Sequence, residues 1–323
     1  LKGPGATNFL NWFTCNRLPK VGRINLTYAL TNHGTTRTEY TIVRHAEDSY
    51  YLVSAGAWSS YDADYLRKAA EDKVEEFGYV EIHDVTSQWG VFALAGPKSR
   101  DLLKEIINDA DVETVLSNKR FPWLSKKEIE IGMCPVNAIR VAYTGELGWE
   151  LHHPIEMQNY LWDRLLLAGS NYGLKLVGAR AQNWLRQEKS YRAFGTELGR
   201  DATPLEADLS RFIDQEKDFF GKENMENKGV RTKCVTLIIN GPDDADPWGR
   251  EALYLADGTK VGRLTSGGYS VVFGKSIGMG YVQPDLAIQG QKLKVKMFNS
   301  LWDAEVTCES PYDPKNETIR KDG

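Results

Sequence analysis

The first hundred residues alternate short runs of hydrophobic and polar positions, a pattern that predicts strands. Residues 24–30 place an apolar side chain at every second position, as a half-buried strand does. A polar turn at 32–34 follows, and residues 39–43 and 50–54 predict two further strands. From 62 to 77 the apolar positions follow helical spacing, and Gly78 is a candidate C-cap. The pattern therefore predicts a small sheet followed by a helix.

Two similar strand-to-helix turns lie roughly ninety residues apart. Gly3-Pro4-Gly5-Ala6 precedes a short apolar helix, and Gly96-Pro97-Lys98-Ser99 precedes another, with an apolar strand at 91–94 before it. Proline suits the first position of a helix because its ring fixes the backbone and no donor is lost there. The repeat predicts a pseudo-duplicated α+β body with interleaved strands and helices.

The pattern of hydrophobic and polar positions changes after about residue 224. Before this point, 157–168 and 177–192 have helical spacing. Beyond it, helical periodicity is nearly absent, and short strands are predicted at 232–239, 262–268, 277–282 and 293–298, with an Asp-Gly turn at 256–259. We therefore expect one domain over 1–223 and a small β-barrel or sandwich over 224–323.

Charge and composition exclude several classes of protein. Lys and Arg number 40 against 44 Asp and Glu, so the net charge of −4 argues against nucleic acid as a partner. No apolar run approaches the ~20 residues that a membrane span requires. The four cysteines are scattered, which favours reduced thiols and a cytoplasmic or mitochondrial matrix location. Leu1 is not an initiator residue, and we expect the chain to be part of a longer polypeptide or complex.

Residues 139–153 are the first candidate for chemistry. An alternating strand, a Thr-Gly-Glu turn and a returning strand carry Tyr143, Glu146, Trp149 and Glu150. Such a hairpin could hold a flat heteroaromatic ring, since aromatic rings stack and a carboxylate accepts two parallel N–H bonds. A purely structural hairpin fits the same spacing.

Other motifs are less specific. The Arg-x-Glu pair at 186 and 188 could bind an acidic ligand or pair charges along a helix face. His152 and His153 are adjacent, so on a strand they point to opposite faces and cannot easily chelate one ion. We expect no metal site. Nucleotide-binding, zincin and hydrolase motifs are absent from the sequence.

Residues 143–151 (YTGELGWEL) resemble the YTGExGxE hairpin of the aminomethyltransferase family, typified by the T-protein of the glycine cleavage system. Further matches occur in the same order at 185–189, 203–207, 219–222 and 265–270. The run 188–195 (EKSYRAFG) is similar to the folate-binding C-terminal half of dimethylglycine and sarcosine dehydrogenases. Sulfur-cluster-assembly paralogues carry a cysteine in this loop, and residues 189–199 contain none.

The resemblance implies a tetrahydrofolate-binding α+β body that is pseudo-duplicated, followed by a C-terminal β-barrel. Its folate contacts carry over to one strand segment, the hairpin and a loop. The family's usual Asp in the strand segment is Glu39 here, and an aromatic contact falls on Arg211, which has no ring. The implied folate-binding residues are Glu39, Tyr40, Thr41, Tyr143, Glu150, Leu151, His152 and Arg211.

The implied activity is tetrahydrofolate-dependent one-carbon transfer. A methylene group from dimethylglycine, sarcosine or an aminomethyl carrier would be trapped as 5,10-methylenetetrahydrofolate. Glu39 is the expected catalytic residue, an anion beside the developing cation. Glu150 would pair with the pterin N–H edge and Tyr143 would line the ring, with His152 as a further contact. FAD is expected only in an upstream domain or flavoprotein partner. A folate-dependent O- or S-demethylase and a non-catalytic folate-binding module remain alternatives.

Overall fold

The computed structural model describes residues 1–242 and 244–321. The first half of the body consists of α1 (Ala6–Phe13), β1 (Ile24–Leu30), β2 (Thr36–Ala46), β3 (Ser49–Val53), a 3-10 turn (Gly56–Trp58), α2 (Ser59–Asp72) and α3 (Val74–Phe77). The second half consists of β4 (Trp89–Ala95), α4 (Ser99–Ile106), α5 (Val112–Val115), β5 (Lys126–Ile131), β6 (Cys134–Ile139), β7 (Gly148–Pro154), a 3-10 turn (Ile155–Met157) and α6 (Gln158–Tyr172).

The two halves repeat one topology, which confirms the predicted duplication. The second sheet has the order β4-β7-β6-β5, and the first has β1-β2-β3 with Lys2 bridged to Ser49 at the β3 edge. In both halves the first extended segment therefore lies beside the last strand. Gly3 and Gly96 have φ angles of 122° and 125°, which only glycine adopts easily. The prolines precede the helices rather than starting them, because Gly5 and Lys98 are the N-caps.

Several element boundaries differ from those predicted. The helix expected at 62–77 begins earlier and breaks at Lys73, and Gly78 caps its second part with φ 88°. Helix α6 extends one turn further than expected, to a left-handed C-cap at Gly173. Helix α7 (Ala179–Glu188) is shorter than 177–192. Strand β6 ends at Ile139, so the tip of the hairpin is an eight-residue loop at 140–147.

The C-terminal region is a closed six-stranded barrel. After a 3-10 turn (Ser210–Phe212) and α8 (Lys222–Lys228), the strands are β8 (Lys233–Ile239), β9 (Ala252–Tyr254), β10 (Lys260–Ser270), β11 (Lys275–Val282), β12 (Lys292–Met297) and β13 (Ser300–Thr307), with a 3-10 turn (Pro284–Leu286). Their order around the barrel is β10-β11-β8-β13-β12-β9. The expected α+β body with a terminal barrel is confirmed, although β9 and β13 were not predicted.

The segment after β13 returns to the body. The Tyr312 hydroxyl donates to Glu146 at 2.7 Å, and the Asn118 amide donates to the Arg320 carbonyl at 2.6 Å. The boundary between 1–223 and 224–323 remains a prediction. Among the helices of the described residues, none is long and apolar enough to cross a membrane.

Candidate functional site between the two halves

The sheets of the two halves face each other across an interface to which each contributes one set of strand side chains. On β2 and β3 the side chains of Tyr40, Ile42 and Tyr50 pack into the core beneath α1 and α2. Their strand neighbours therefore point the other way, toward the second half. On β7 the division is similar, since Trp149 and Leu151 belong to the core of the second half. The faces left over carry most of the predicted site residues.

A small apolar cluster holds the two faces together. Ile24 and Val43 from the first half pack with Ile139 from the second, with Tyr51 at the edge. The Tyr51 hydroxyl lies 3.1 Å from Nδ1 of His152, and the two rings meet edge-on. This contact fixes β7 against β3 and determines where the polar side chains of each face lie.

Glu39 lies on β2 directly opposite Tyr28 of β1. Its side chain is half-buried. Burial raises the pKa of this carboxyl from 4.5 to about 7, while a hydrogen bond from the Tyr28 hydroxyl and the positive charge of Arg186 oppose the rise. A carboxyl with a pKa near neutrality can accept or release a proton under physiological conditions. Thr41, two residues further along the same face, is also half-buried.

Glu150 is held by a short chain of polar groups. Its Oε2 lies 3.2 Å from Nε2 of His152, whose Nδ1 contacts the Tyr51 hydroxyl. Burial and the charge of Glu150 raise the pKa of Tyr51 to about 12. In the tautomer with the proton on Nε2, His152 donates to the Glu150 carboxylate and its Nδ1 accepts from the Tyr51 hydroxyl. The Glu150 side chain remains 30% exposed, and no other described residue bonds to it.

Tyr143 lies in the loop between β6 and β7. Its hydroxyl donates to the Arg192 carbonyl at 3.1 Å, and its ring stacks on Tyr191 with centroids 6.1 Å apart. Although 36% of Tyr143 is exposed, burial raises the pKa of its hydroxyl, which also senses the charges of Arg186 and Glu39. The Tyr143 ring is therefore accessible, while its hydroxyl is buried and within reach of the charge of Glu39.

The remaining predicted residues occupy different surroundings. Tyr40 and Leu151 are core side chains, so only their main chains could reach a ligand. Arg211 is exposed in the 3-10 turn beside Phe212, and its charge lowers the pKa of Tyr191, which burial raises. Arg211 therefore lies at the rim near the Tyr143–Tyr191 stack.

The Arg-x-Glu motif of α7 joins the body to the barrel. Arg186 pairs with Glu197 at 2.8 Å and donates to the Ser266 hydroxyl at 2.6 Å, and these side chains are buried. Glu188 instead accepts from the Ser270 hydroxyl at 2.6 Å. The two charges of the motif thus have separate partners on β10 and in the loop after α7, and they do not pair with each other. Along the helix, Arg186 donates to the side-chain oxygen of Asn183 at 2.9 Å.

Three site residues were not predicted from the sequence. Tyr28, Tyr51 and Tyr191 position Glu39, His152 and Tyr143 respectively. The alternation of β1 could have shown that Tyr28 faces the same side as Leu26 and Leu30. Its position opposite Glu39, however, depends on how β1 pairs with β2. Within the described residues, no cluster of histidine, cysteine, aspartate or glutamate could hold a metal ion.

The geometry suits a flat, polar ligand with a hydrogen-bonding edge. The Tyr143–Tyr191 stack offers an aromatic wall, Glu150 offers an accessible acceptor, and Glu39 offers a titratable carboxylate. The pterin of a tetrahydrofolate has a matching amino and ring N–H edge, which a carboxylate binds through paired hydrogen bonds. The residues present therefore fit that group.

Comparison with known families gives two matches in sequence order. Residues 1–217 match the GCVT N-terminal domain, and residues 232–313 match the glycine cleavage T-protein C-terminal barrel domain. The mitochondrial dimethylglycine dehydrogenase of Rattus norvegicus is 34% identical over 331 residues. That alignment covers 100% of this chain and 37% of the dehydrogenase, so the chain spans little more than a third of this relative.

Shorter relatives are covered almost completely. A probable aminomethyltransferase of Thermococcus kodakarensis is 30% identical over 345 residues, covering 97% of this chain and 84% of the relative. The solved aminomethyltransferase T of the glycine cleavage system of Bartonella henselae superposes with a TM-score of 0.81, covering 99% of this chain and 83% of that one. At 22% identity, this likeness concerns the fold alone. All five matches agree with the resemblance carried by the sequence motifs.

Proposed function

The chain belongs to the aminomethyltransferase family of the glycine cleavage T-protein, and from this premise we propose that it binds tetrahydrofolate between its two halves and transfers a one-carbon unit to it. The observation that carries the proposal is the shared interface of Glu39, Tyr143 and Glu150. These side chains come from β2, a loop and β7: the charge of Glu39 acts on the Tyr143 hydroxyl, and Glu150 contacts His152, which joins β7 to Tyr51 of the first half. The two carboxylates differ, since burial raises the pKa of Glu39 while the Glu150 side chain keeps 30% of its surface exposed.

Glu150 is the binding carboxylate in this proposal. The bond from His152 fixes its orientation and leaves its other acceptor positions open to the pterin edge. Tyr143 lines the ring with Tyr191 behind it, and the main chains of Leu151 and Tyr40 are within the same two strands. Arg211 would contact the ligand at the rim, where a cation suits the carboxylate end of a folate better than its ring.

Glu39 is the catalytic carboxylate in this proposal. Tetrahydrofolate supplies the nitrogen nucleophiles, and the donor supplies a methylene group as an iminium cation. Two N–H bonds of the acceptor become N–C bonds, one proton goes to the released amine and one must leave. Glu39, with a pKa of about 7, can stabilise the cation as an anion and accept the departing proton. The product would be 5,10-methylenetetrahydrofolate.

The proposal also names the donor of the one-carbon unit. The relatives that cover the whole chain are named for dimethylglycine, and others for sarcosine. We propose a small N-methylated amine as donor, oxidised by a flavoprotein domain or partner that holds FAD. The name of the rat dehydrogenase describes that relative as mitochondrial. For this chain we propose a location in the mitochondrial matrix or the cytoplasm. If the donor is delivered directly, the joined proteins will release less formaldehyde per methylenetetrahydrofolate than the separated ones.

Calorimetric titration with tetrahydrofolate tests the binding site. Glu150→Gln places an N–H donor opposite a pterin N–H and should weaken binding roughly tenfold to a hundredfold. Glu146→Gln is the matched control, because this carboxylate of the same hairpin is bound by Tyr312. Equal affinities for the wild type and Glu150→Gln would remove Glu150 from the site.

Turnover separates the proposed transferase from the alternatives. Glu39→Gln should lower the rate of transfer much more than the affinity for folate, since the charge matters mainly in the transition state. A parallel loss of both would make Glu39 an ordinary binding residue. Methyltetrahydrofolate formed from a methyl ether or thioether would identify a demethylase, and folate binding without any turnover would identify a binding module.

A further inference from the structure

A cavity that neither Glu150 nor Tyr143 lines lies beside the loop that follows α7. Its volume is about 620 Å³, within the range of small-molecule sites. Arg37 of β2 lines it, and this residue lies two positions before Glu39 in the sequence. Glu197 also lines it and is bonded to Arg186, the residue whose charge acts on Glu39. The cavity therefore adjoins the proposed site of chemistry.

Three aromatic rings form one wall of this cavity. Trp58 meets Phe194 edge-on at 5.7 Å and Tyr61 at 6.0 Å between centroids. Trp58 remains 42% exposed and Tyr61 37% exposed. Gly199 adds to the open space, because a Cβ built there has no atom within 4 Å. The Arg37 guanidinium lies 3.3 Å from the centre of the Tyr61 ring, so Trp58 is the ring whose accessible face can attract a methylated ammonium group through a cation–π contact.

The charges on the wall leave one guanidinium without an acidic partner. Four arginines line the cavity, of which Arg37 pairs with Asp62, Arg231 with Glu206 and Arg263 with Asp201. Arg200 lies 4.9 Å from the centre of the Tyr61 ring, and none of the described residues forms an ion pair with it. Its side chain is exposed and borders the aromatic wall. A free guanidinium recognises a carboxylate through two parallel hydrogen bonds.

We propose that this cavity is a carboxylate-binding subsite in which Arg200 holds the anionic end of a small ligand beside Trp58. The inference rests on the proposed function and names the class of its donor. A zwitterionic N-methylated amino acid matches both features of the wall, its carboxylate at Arg200 and its methylated nitrogen on the Trp58 ring. The same carboxylate chemistry occurs in the glutamyl tail of a folate, which is the second possible source.

Binding of N,N-dimethylglycine to the complete chain without folate tests the subsite. Calorimetry and ligand-observed NMR should give an affinity that falls roughly tenfold to a hundredfold in Arg200→Gln. Gly199→Leu, which fills the open space, should also abolish binding. Arg67→Gln, an exposed arginine of α2 outside the cavity, should leave it unchanged. Acetate and dimethylamine, which each lack one end of the zwitterion, should bind more weakly than dimethylglycine.

A second titration distinguishes the two sources of the carboxylate. If Arg200→Gln weakens triglutamyl tetrahydrofolate more than the monoglutamyl form and leaves dimethylglycine unaffected, the subsite serves the folate tail. If Arg200→Gln and Gly199→Leu change neither ligand, the subsite does not exist. Because dimethylglycine is titrated without folate, failure of folate binding in the Glu150 experiment leaves this result independent.

Discussion

Replacement of Glu39 by glutamine should stabilise the folded protein at alkaline pH. Burial raises the pKa of the Glu39 carboxyl from 4.5 to about 7. Between these values the unfolded chain has released the proton while the folded chain still binds it. The stability that comes from this proton is complete below pH 4.5 and is lost as the pH rises through 7. Above pH 7 the wild type carries a desolvated charge that Glu39→Gln lacks.

The interval from 4.5 to about 7 sets the size of the effect. At about 1.4 kcal/mol per pH unit, it corresponds to at most about 3 kcal/mol. Because Glu39 is only half-buried, solvent reduces this figure, and we expect Glu39→Gln to be more stable by about 1–3 kcal/mol at pH 8. The glutamine oxygen can still accept the bond from the Tyr28 hydroxyl.

Denaturant unfolding between pH 5 and 8.5, without folate, measures this difference. The gap between wild type and Glu39→Gln should grow with pH and level off above 7. Glu71→Gln, an exposed residue of α2, serves as the control and should follow the wild type. A Glu39→Gln protein that is equally stable or less stable at pH 8 would refute the burial of a costly charge at this position.

Three further outcomes follow from the same contacts. The rate of one-carbon transfer should rise with pH through about 7, because only ionised Glu39 accepts a proton, and a flat profile between pH 6 and 8 would contradict this. Arg186→Met leaves buried Glu197 without its partner, and thermal or chemical unfolding should show a loss of about 3–5 kcal/mol. Gly145→Ala should cost about 1–3 kcal/mol, since Gly145 has φ 78° and a Cβ there would lie 2.1 Å from a lysine side chain. Gly229→Ala, with φ 62° and open space, is its control and should cost less.

Alternation along the strands predicted much of the architecture. The even positions of β1 predicted that strand, and the repeated Gly-Pro turns predicted the two halves, since each signal is a short local pattern. The same period of two also implies that Tyr40 and Leu151 point away from Glu39 and Glu150, so the alternation could have separated main-chain from side-chain contacts. That step needed only the strand assignments.

Other features depend on contacts that no local pattern contains. Strand β13 has charged Asp303 and Glu305 on its outer face and β9 has only three residues, so neither gave a clear apolar run. Two partners of the Arg186 guanidinium lie outside α7, with Glu197 eleven residues away and Ser266 eighty residues away. Spacing within α7 therefore suggested a pairing with Glu188 that tertiary structure overrides.

The duplication explains how one interface can hold two carboxylates with different properties. Each half covers one face of its sheet with helices. The uncovered faces meet each other, so water has limited access to the side chains between them. Burial raises the pKa of Glu39 more than Tyr28 and Arg186 lower it. Ionisation of this carboxyl therefore costs free energy, and the carboxyl can exchange a proton near pH 7. Glu150 keeps access to solvent and a bond from His152, so it is suited to hold a ligand rather than to exchange a proton. The two roles depend on different neighbours, and substitutions at Glu39 and Glu150 should therefore affect turnover and affinity separately.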